Sequence, residues 1–270
     1  MIQAFFILLI HLTFAHCFAI IHYIRKGKMK LNIFQKGFNY SQDGPGNRLI
    51  YHLSGCNMRC PWCSNPEGLK PSAGSPYTVE ELTGEVLRSS MLFFDGGGLT
   101  LTGGEFSLQL PAASALLASV HGSGIDTCVE TNGTAPALQT VFPSLDHLII
   151  DVKHYDENRL SAVCGAGLKN TLSNLACALD LKMDVLIRIP LIGGFNASPE
   201  DAARFAELFC SLDVPGHARV EVLKYHEFGK DKYQKLGLPY TMTEEAFIST
   251  ECFHTFRDIL VSHGIEPATT

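Results

Sequence analysis

The sequence predicts an α/β fold built on a parallel sheet, open or partly closed as a barrel. Two observations carry this. From residue 47 onward, short runs rich in apolar and β-branched residues alternate with helical segments. Polar motifs fall at the carboxyl ends of those runs, where a sheet of this kind places a site. A chain of 270 residues, 46% of them hydrophobic, is long enough to form one such domain.

The elements follow in order. Leu49-Ile50-Tyr51-His52-Leu53 is the first strand of the alternation and leads into a cysteine loop. Thr78-Val79-Glu80-Glu81 is a capping box, a hydroxyl followed three residues on by a carboxylate, and opens a helix reaching about Leu92. Leu99-Thr100-Leu101-Thr102 reads as the next strand, followed by a helix over 108–121. Residues 125–130, 147–152, 185–190 and 218–224 are further strands. Between the last two, Ser198 is an N-cap and Pro199 the first residue of another helix. A last helix is expected over 243–263. Six strands alternating with helices form the sheet, and no internal repeat, long linker or low-complexity tract interrupts them.

Residues 1–28 differ from the rest. Residues 1–24 carry no Lys, Arg, Asp or Glu and are dense in Phe, Ile and Leu. As a helix they would reach about 36 Å at ~1.5 Å per residue, enough to cross a bilayer. The flank Arg25-Lys26-Gly27-Lys28-Met29-Lys30 would then lie on the cytoplasmic side. A cleaved secretory signal fits poorly, with no charged n-region and no clear small-residue cleavage site. Gln3, His11, His16 and His22 weaken the membrane reading, and a start of translation at Met29 explains the segment equally well. The expected division is an apolar extension over 1–28, either anchor or misassigned start, and a catalytic domain over 29–270 facing the cytoplasm.

Composition narrows the chemistry. The formal charge is −6 with no basic stripe, which disfavours nucleic-acid binding. Nine cysteines are present, and outside one cluster they stand singly at Cys17, Cys128, Cys164, Cys177, Cys210 and Cys252. That pattern is no secreted disulfide framework and fits a reducing compartment. The cluster is Cys56, Cys60 and Cys63, spaced C-x3-C-x2-C. It has one thiolate fewer than a closed zinc site or a fully protein-ligated iron–sulfur cluster requires. Taken alone it could be three-quarters of a zinc site completed by Cys128 or a histidine. The strand-end motifs favour a ligand site instead. They are Gly103-Gly104-Glu105, Glu130-Thr131-Asn132-Gly133, Asp151-Val152-Lys153, Arg188 within its strand, and Tyr225-His226-Glu227. A turn needs no carboxylate or cation after several successive strands, whereas a polar ligand does.

The chain resembles the radical S-adenosylmethionine (SAM) enzymes of the glycyl-radical-enzyme activating family. The resemblance runs from about Phe34 to Gly237. Besides the motifs above it includes Asp43-Gly44-Pro45-Gly46-Asn47-Arg48, the run from Arg188 through Gly193-Gly194-Phe195-Asn196, and the extension of Tyr225-His226-Glu227 to Lys230. It implies a partial (β/α)6 TIM-like barrel, with one [4Fe-4S] cluster on Cys56, Cys60 and Cys63 and SAM chelating the fourth iron. Gly103 and Gly104 would let backbone approach the methionyl end, and Glu105 would accept from the amino group. Asp151, Lys153, Arg188 and His226 would bind the rest of SAM, Trp62 would pack by the adenine, and Glu130 and Asn132 would edge the ribose.

The implied reaction is reductive cleavage of SAM, then abstraction of a glycine Cα hydrogen in a partner glycyl radical enzyme. Flavodoxin or ferredoxin is the implied electron donor. Two departures stand out. Phe106 replaces the usual proline after Gly-Gly-Glu, and Glu130 stands where Asp is common, which puts a monovalent-cation site in doubt. Residues 64–76 hold no further cysteine, so a single cluster is expected. The competing readings are a radical SAM enzyme acting on a small molecule, of the 7-carboxy-7-deazaguanine synthase kind, and a membrane-tethered metal module without catalysis.

Overall fold

A computed structural model describes residues 29–268. The apolar segment 1–28 lies outside the described residues, and within them no helix is long and apolar enough to cross a membrane.

The architecture is one eight-stranded sheet covered by helices. Its strands are β1 (Lys30–Tyr40), β2 (Asn47–Leu53), β3 (Ser75–Thr78), β4 (Gly98–Gly103), β5 (Asp126–Thr131), β6 (His147–Asp151), β7 (Asp184–Leu191) and β8 (Arg219–Lys224). The order across the sheet is β3-β1-β2-β4-β5-β6-β7-β8. From β2 through β8 every pairing is parallel, so six strands point their carboxyl ends the same way, as in a partial (β/α)6 barrel. β1 and β3 add an antiparallel flap. β3 and β8 stay at opposite edges and do not pair, so the barrel is open along one side.

Seven α-helices are described: α1 (Val79–Arg88), α2 (Leu110–His121), α3 (Glu157–Cys164), α4 (Lys169–Asp180), α5 (Pro199–Ser211), α6 (Lys230–Lys235) and α7 (Thr250–Ser262). α1 begins with the capping box read from the sequence: Thr78 accepts from the Glu81 N–H while Glu81 accepts from that of Thr78. Ser198 caps α5 in the same reciprocal way with Asp201.

Three expectations are corrected. The helix expected over 243–263 is a short 3-10 turn at Glu244–Ala246 and then α7, which Ser249 caps afresh. β1 and β3 went unread because only Leu31 and Ile33 of the eleven β1 residues are buried and β3 is only four residues long. α3 and α4 also went unread. α3 is only eight residues long, and Gly165 stops it in a left-handed conformation.

Alternation along the strands sorts side chains into two sets. Leu49, Tyr51, Leu53, Leu99, Leu101, Val129, Leu148, Ile150, Ile187 and Ile189 pack into the main core with the helices. Ile50, Cys128 and Ile149 are equally buried but lie outside that core, on the same alternation as Thr100, Thr102, Glu130 and Arg188. The inner face of the barrel is therefore largely polar.

At the amino ends of the strands His147 bridges two carboxylates, Nδ1 to Asp184 at 2.6 Å and Nε2 to Asp126 at 3.0 Å. Both contacts together require the imidazolium. The bond to Asp126, reinforced by Asp184, holds its pKa above the ordinary histidine range against the pull of burial. The bridge contributes fully below about pH 6.5, the unfolded value, and is lost as pH rises through the higher folded value. Between about pH 6 and pH 9, urea unfolding of the wild type should lose roughly 1 kcal/mol more than that of His147→Gln. Parallel pH dependences in the two proteins would refute the bridge's contribution.

Candidate active site

The cysteine loop leaves the carboxyl end of β2 and is fixed at both ends. The Gly55 N–H donates to Gly68 O at 2.7 Å, and the Cys56 N–H to Leu69 O at 3.3 Å. Across to the next strand, the Gly104 N–H donates to Leu53 O at 2.8 Å and the Glu105 N–H to Gly55 O at 2.7 Å. The glycines permit this approach. A Cβ on Gly104 would stand 2.1 Å from Gly55 O, and one on Gly103, at φ +117, would stand 2.3 Å from the Leu53 nitrogen. The demand for glycine thus already arises where two backbones meet. Gly104→Ala should cost about 3 kcal/mol by overpacking and displace the loop. Urea denaturation together with iron content checks this; a variant with wild-type values of both would show that the loop can yield.

Glu105 is 1% exposed. Oε1 accepts from the Ser107 N–H at 3.1 Å and from Thr131 Oγ1 at 2.7 Å, and Oε2 accepts from the Asn132 N–H at 2.8 Å. Burial raises its pKa while these donors work to lower it. The carboxylate therefore joins the end of β4 to the end of β5. Asn132 continues the linkage, its Nδ2 donating to Asn57 Oδ1 at 2.9 Å inside the cysteine loop. Asn57, which the sequence reading passed over, also donates to Thr134 Oγ1 at 2.6 Å.

A polar row crosses the inner face. Thr102 Oγ1 donates to Glu130 at 3.0 Å. Arg188 donates through Nη1 to Glu130 at 2.7 Å, through Nε to Glu221 at 2.6 Å, and through Nη2 to Gln42 O. Three of the five N–H groups of its guanidinium are thus engaged within the protein. Asp151 and Lys153 pair at 2.5 Å, with the Lys153 side chain 13% exposed. Burial would depress that ammonium, but Asp151 and the neighbouring Cys60 outweigh it and hold the pKa above the ordinary lysine value.

The aromatic residues form one wall. The Trp62 ring lies 5.0 Å from that of Phe195, beside a small buried cluster of Ile192, Phe195, Tyr225 and Ala246. His226 stacks on Phe228 with centroids 3.9 Å apart, and burial lowers its pKa. The motif residues therefore converge on the carboxyl ends of the strands. A groove of about 520 Å³ lined by Asp184, Val214, His217 and Ile265 holds none of them and opens at the opposite ends.

The thiols fit an iron–sulfur cluster. Cys60 is buried, and Cys56 and Cys63 are partly so. Burial pushes Cys56 up to about 12 and Cys63 up to about 11, values that bound iron overcomes by favouring thiolate. Cys56 Sγ accepts from the Met58 N–H at 3.4 Å, and the Lys153 charge lies near Cys60. Among the described residues no three Cys, His, Asp or Glu converge on a single ion. Thiolates are the ligands that iron–sulfur clusters take, and three of them leave one iron of a four-iron cluster without a protein ligand.

A soft, three-thiol donor set at the strand ends of a partial barrel defines a class, and the chain belongs to the radical SAM superfamily, whose family model matches residues 50–206. Pyruvate formate-lyase-activating enzyme of Staphylococcus epidermidis is 33% identical over 210 residues, covering 74% of this chain and 83% of that protein. That of Staphylococcus aureus (strain USA300) is also 33% identical, over 212 residues, covering 75% and 84%. Within the superfamily the chain therefore belongs to the glycyl-radical-enzyme activating enzymes that these relatives represent.

The crystal structure of a domain of pyruvate-formate lyase-activating enzyme from Bacteroides vulgatus matches with a TM-score of 0.53 and 25% identity, covering 64% of this chain and 98% of that one. A radical SAM methyltransferase from Sphaerobacter thermophilus matches with a TM-score of 0.60 at 17% identity, over 86% of this chain and 68% of that one, and shares the fold. The protein is a radical SAM activating enzyme that uses a [4Fe-4S] cluster and SAM.

Proposed function

We propose that this enzyme installs a glycyl radical on a partner protein, and that Cys56, Cys60 and Cys63 hold its cluster. The observation that carries the reading is the bonding of the three-thiol loop to the Gly103-Gly104-Glu105 turn, at the carboxyl ends of parallel strands. When bound, the cluster supplies the electron that cleaves the SAM sulfonium to methionine and a 5′-deoxyadenosyl radical. The protein's part is to bind, orient and exclude water.

Lys153, a buried cation near Cys60, is assigned to the SAM carboxylate. Arg188, engaged on three sides, is assigned to fixing Glu130 and Glu221. Asp151 keeps Lys153 charged. Gly103 and Gly104 leave room for the methionyl end, and Glu105 keeps the next turn in place. Asn132 with Glu130 borders the ribose, and Trp62 and His226 form the aromatic side toward the adenine. A flavodoxin or ferredoxin in the cytoplasm is the proposed electron source.

The test pairs the reconstituted enzyme, SAM and a reductant with pyruvate formate-lyase under strict anaerobiosis. Expected are a glycyl signal by electron paramagnetic resonance on that protein and 5′-deoxyadenosine in matching amount. Turnover of a small molecule with no radical left on any protein would overturn the reading.

A further inference from the structure

Cys164 belongs to none of the motifs above. It ends α3 and is fully buried. Gly165, at φ 76, closes the helix behind it with its N–H on Ser161 O at 2.9 Å. The carbonyl of Cys164 accepts from the Arg59 N–H at 2.8 Å, which ties the end of α3 to the residue just before Cys60. The two side chains lie in the same buried core, and the backbone bond from Arg59 holds the end of α3 directly against the segment that carries Cys60. A second thiol is therefore held beside the cysteine loop, brought there from 104 positions further along the chain.

We infer that Cys164 is a resolving thiol for Cys60: once air has stripped the cluster, the two form a disulfide that bars reassembly until a thiol reductant opens it. The inference rests on Cys60 being a cluster ligand, because an iron-bound sulfur is not free to pair. In the step, one S–S bond replaces two S–H bonds. The two electrons and two protons pass to dioxygen, which leaves as hydrogen peroxide. Reversal is thiol–disulfide exchange with a small dithiol, which ends up oxidised. The clamp between Arg59 and Cys164 keeps the partners together after the iron has gone, so pairing needs no refolding. A cross-link over so long a loop also restricts the unfolded chain, and the oxidised apoprotein should melt several degrees above its reduced form.

The experiment uses the full chain, reconstituted anaerobically, stripped anaerobically with a chelator and dithionite, desalted, then exposed to air. Free thiols are alkylated and the non-reduced digest is mapped by mass spectrometry. Expected is a peptide pair joined through Cys60 and Cys164 in most molecules, absent before air and absent in Cys164→Ser. After the air cycle, wild-type protein should take up iron and sulfide only when first treated with dithiothreitol, whereas Cys164→Ser should do so without it. A Cys60–Cys63 or Cys56–Cys60 disulfide, or a Cys60 that stays alkylatable after air, overturns the inference. Cys164→Ala is the second variant if the serine fails to fold. A wild type that never binds iron even under anaerobiosis would overturn the cluster reading instead, and the peptide map would still decide the disulfide.

Discussion

Replacing Cys60 by alanine should abolish SAM cleavage: 5′-deoxyadenosine falls to background and the iron content of the protein drops sharply. Cys60 is the most deeply buried thiol of the loop, and its neighbours cannot take its place. Cys164, outside the loop, is held at the end of α3 by its own backbone contact to Arg59. Cys56 and Cys63 are needed where they are. Loss of a residue that supports a ligand costs ~10–100-fold in affinity or activity, and loss of a ligand itself should exceed that, by about a thousandfold or more. Folding should survive, because a small buried side chain is removed from the edge of a large core. Chromatographic assay of 5′-deoxyadenosine, with iron analysis and circular dichroism on the same sample, checks the three expectations together. Measurable cleavage by a folded Cys60→Ala protein would remove this residue from the ligand set.

The second large effect concerns stability. Glu105→Ala takes away the acceptor of two backbone N–H groups and one hydroxyl, all in the buried join between β4 and β5. Buried donors left without partners cost about 1–3 kcal/mol each, and with some relaxation the total should be about 3–5 kcal/mol. For a chain of this size that lowers the melting temperature by roughly 10 °C. Glu105→Gln should recover part of it, since one oxygen still accepts while the amide group meets an N–H. Cleavage should fall as well, because Asn132 then holds Asn57 and the cysteine loop less firmly. Differential scanning calorimetry of both variants provides the measurement. An alanine variant that melts within a degree or two of wild type would mean that water reaches those donors.

Much of this was legible in the sequence, for reasons that differ from place to place. The six parallel strands could be read because strands buried on both faces show as short apolar runs such as Leu49 to Tyr51 and Leu148 to Ile150. The flap strand β1 could not, because only Leu31 and Ile33 are buried while Phe38 and Tyr40 are exposed, so its apolar residues do not mark one face. Cys56, Cys60 and Cys63 announced themselves by spacing, whereas Cys164 is brought to them only by the packing of α3. Asn57 sat in plain view between Cys56 and Cys60. Its role depends on Asn132, 75 positions away, and no local pattern reports such a bond. Arg188 was readable as a cation at the site, but the carboxylates that surround it come from β5 and β8, and only the register of the sheet brings those together.

The unpaired edges of the sheet bear on what the enzyme can act upon. Had β3 and β8 met, anything reaching the centre would have had to enter end-on, like thread through a needle's eye. The glycine of the proposed partner has chain on both sides of it and can be presented only as a bend, which a narrow closed ring would pinch. A trough open along its flank asks only that a bend of polypeptide be laid in sideways and lifted out again, both ends remaining attached. On the proposed reading, the gap between β3 and β8 is room for a macromolecular substrate to dock and leave intact.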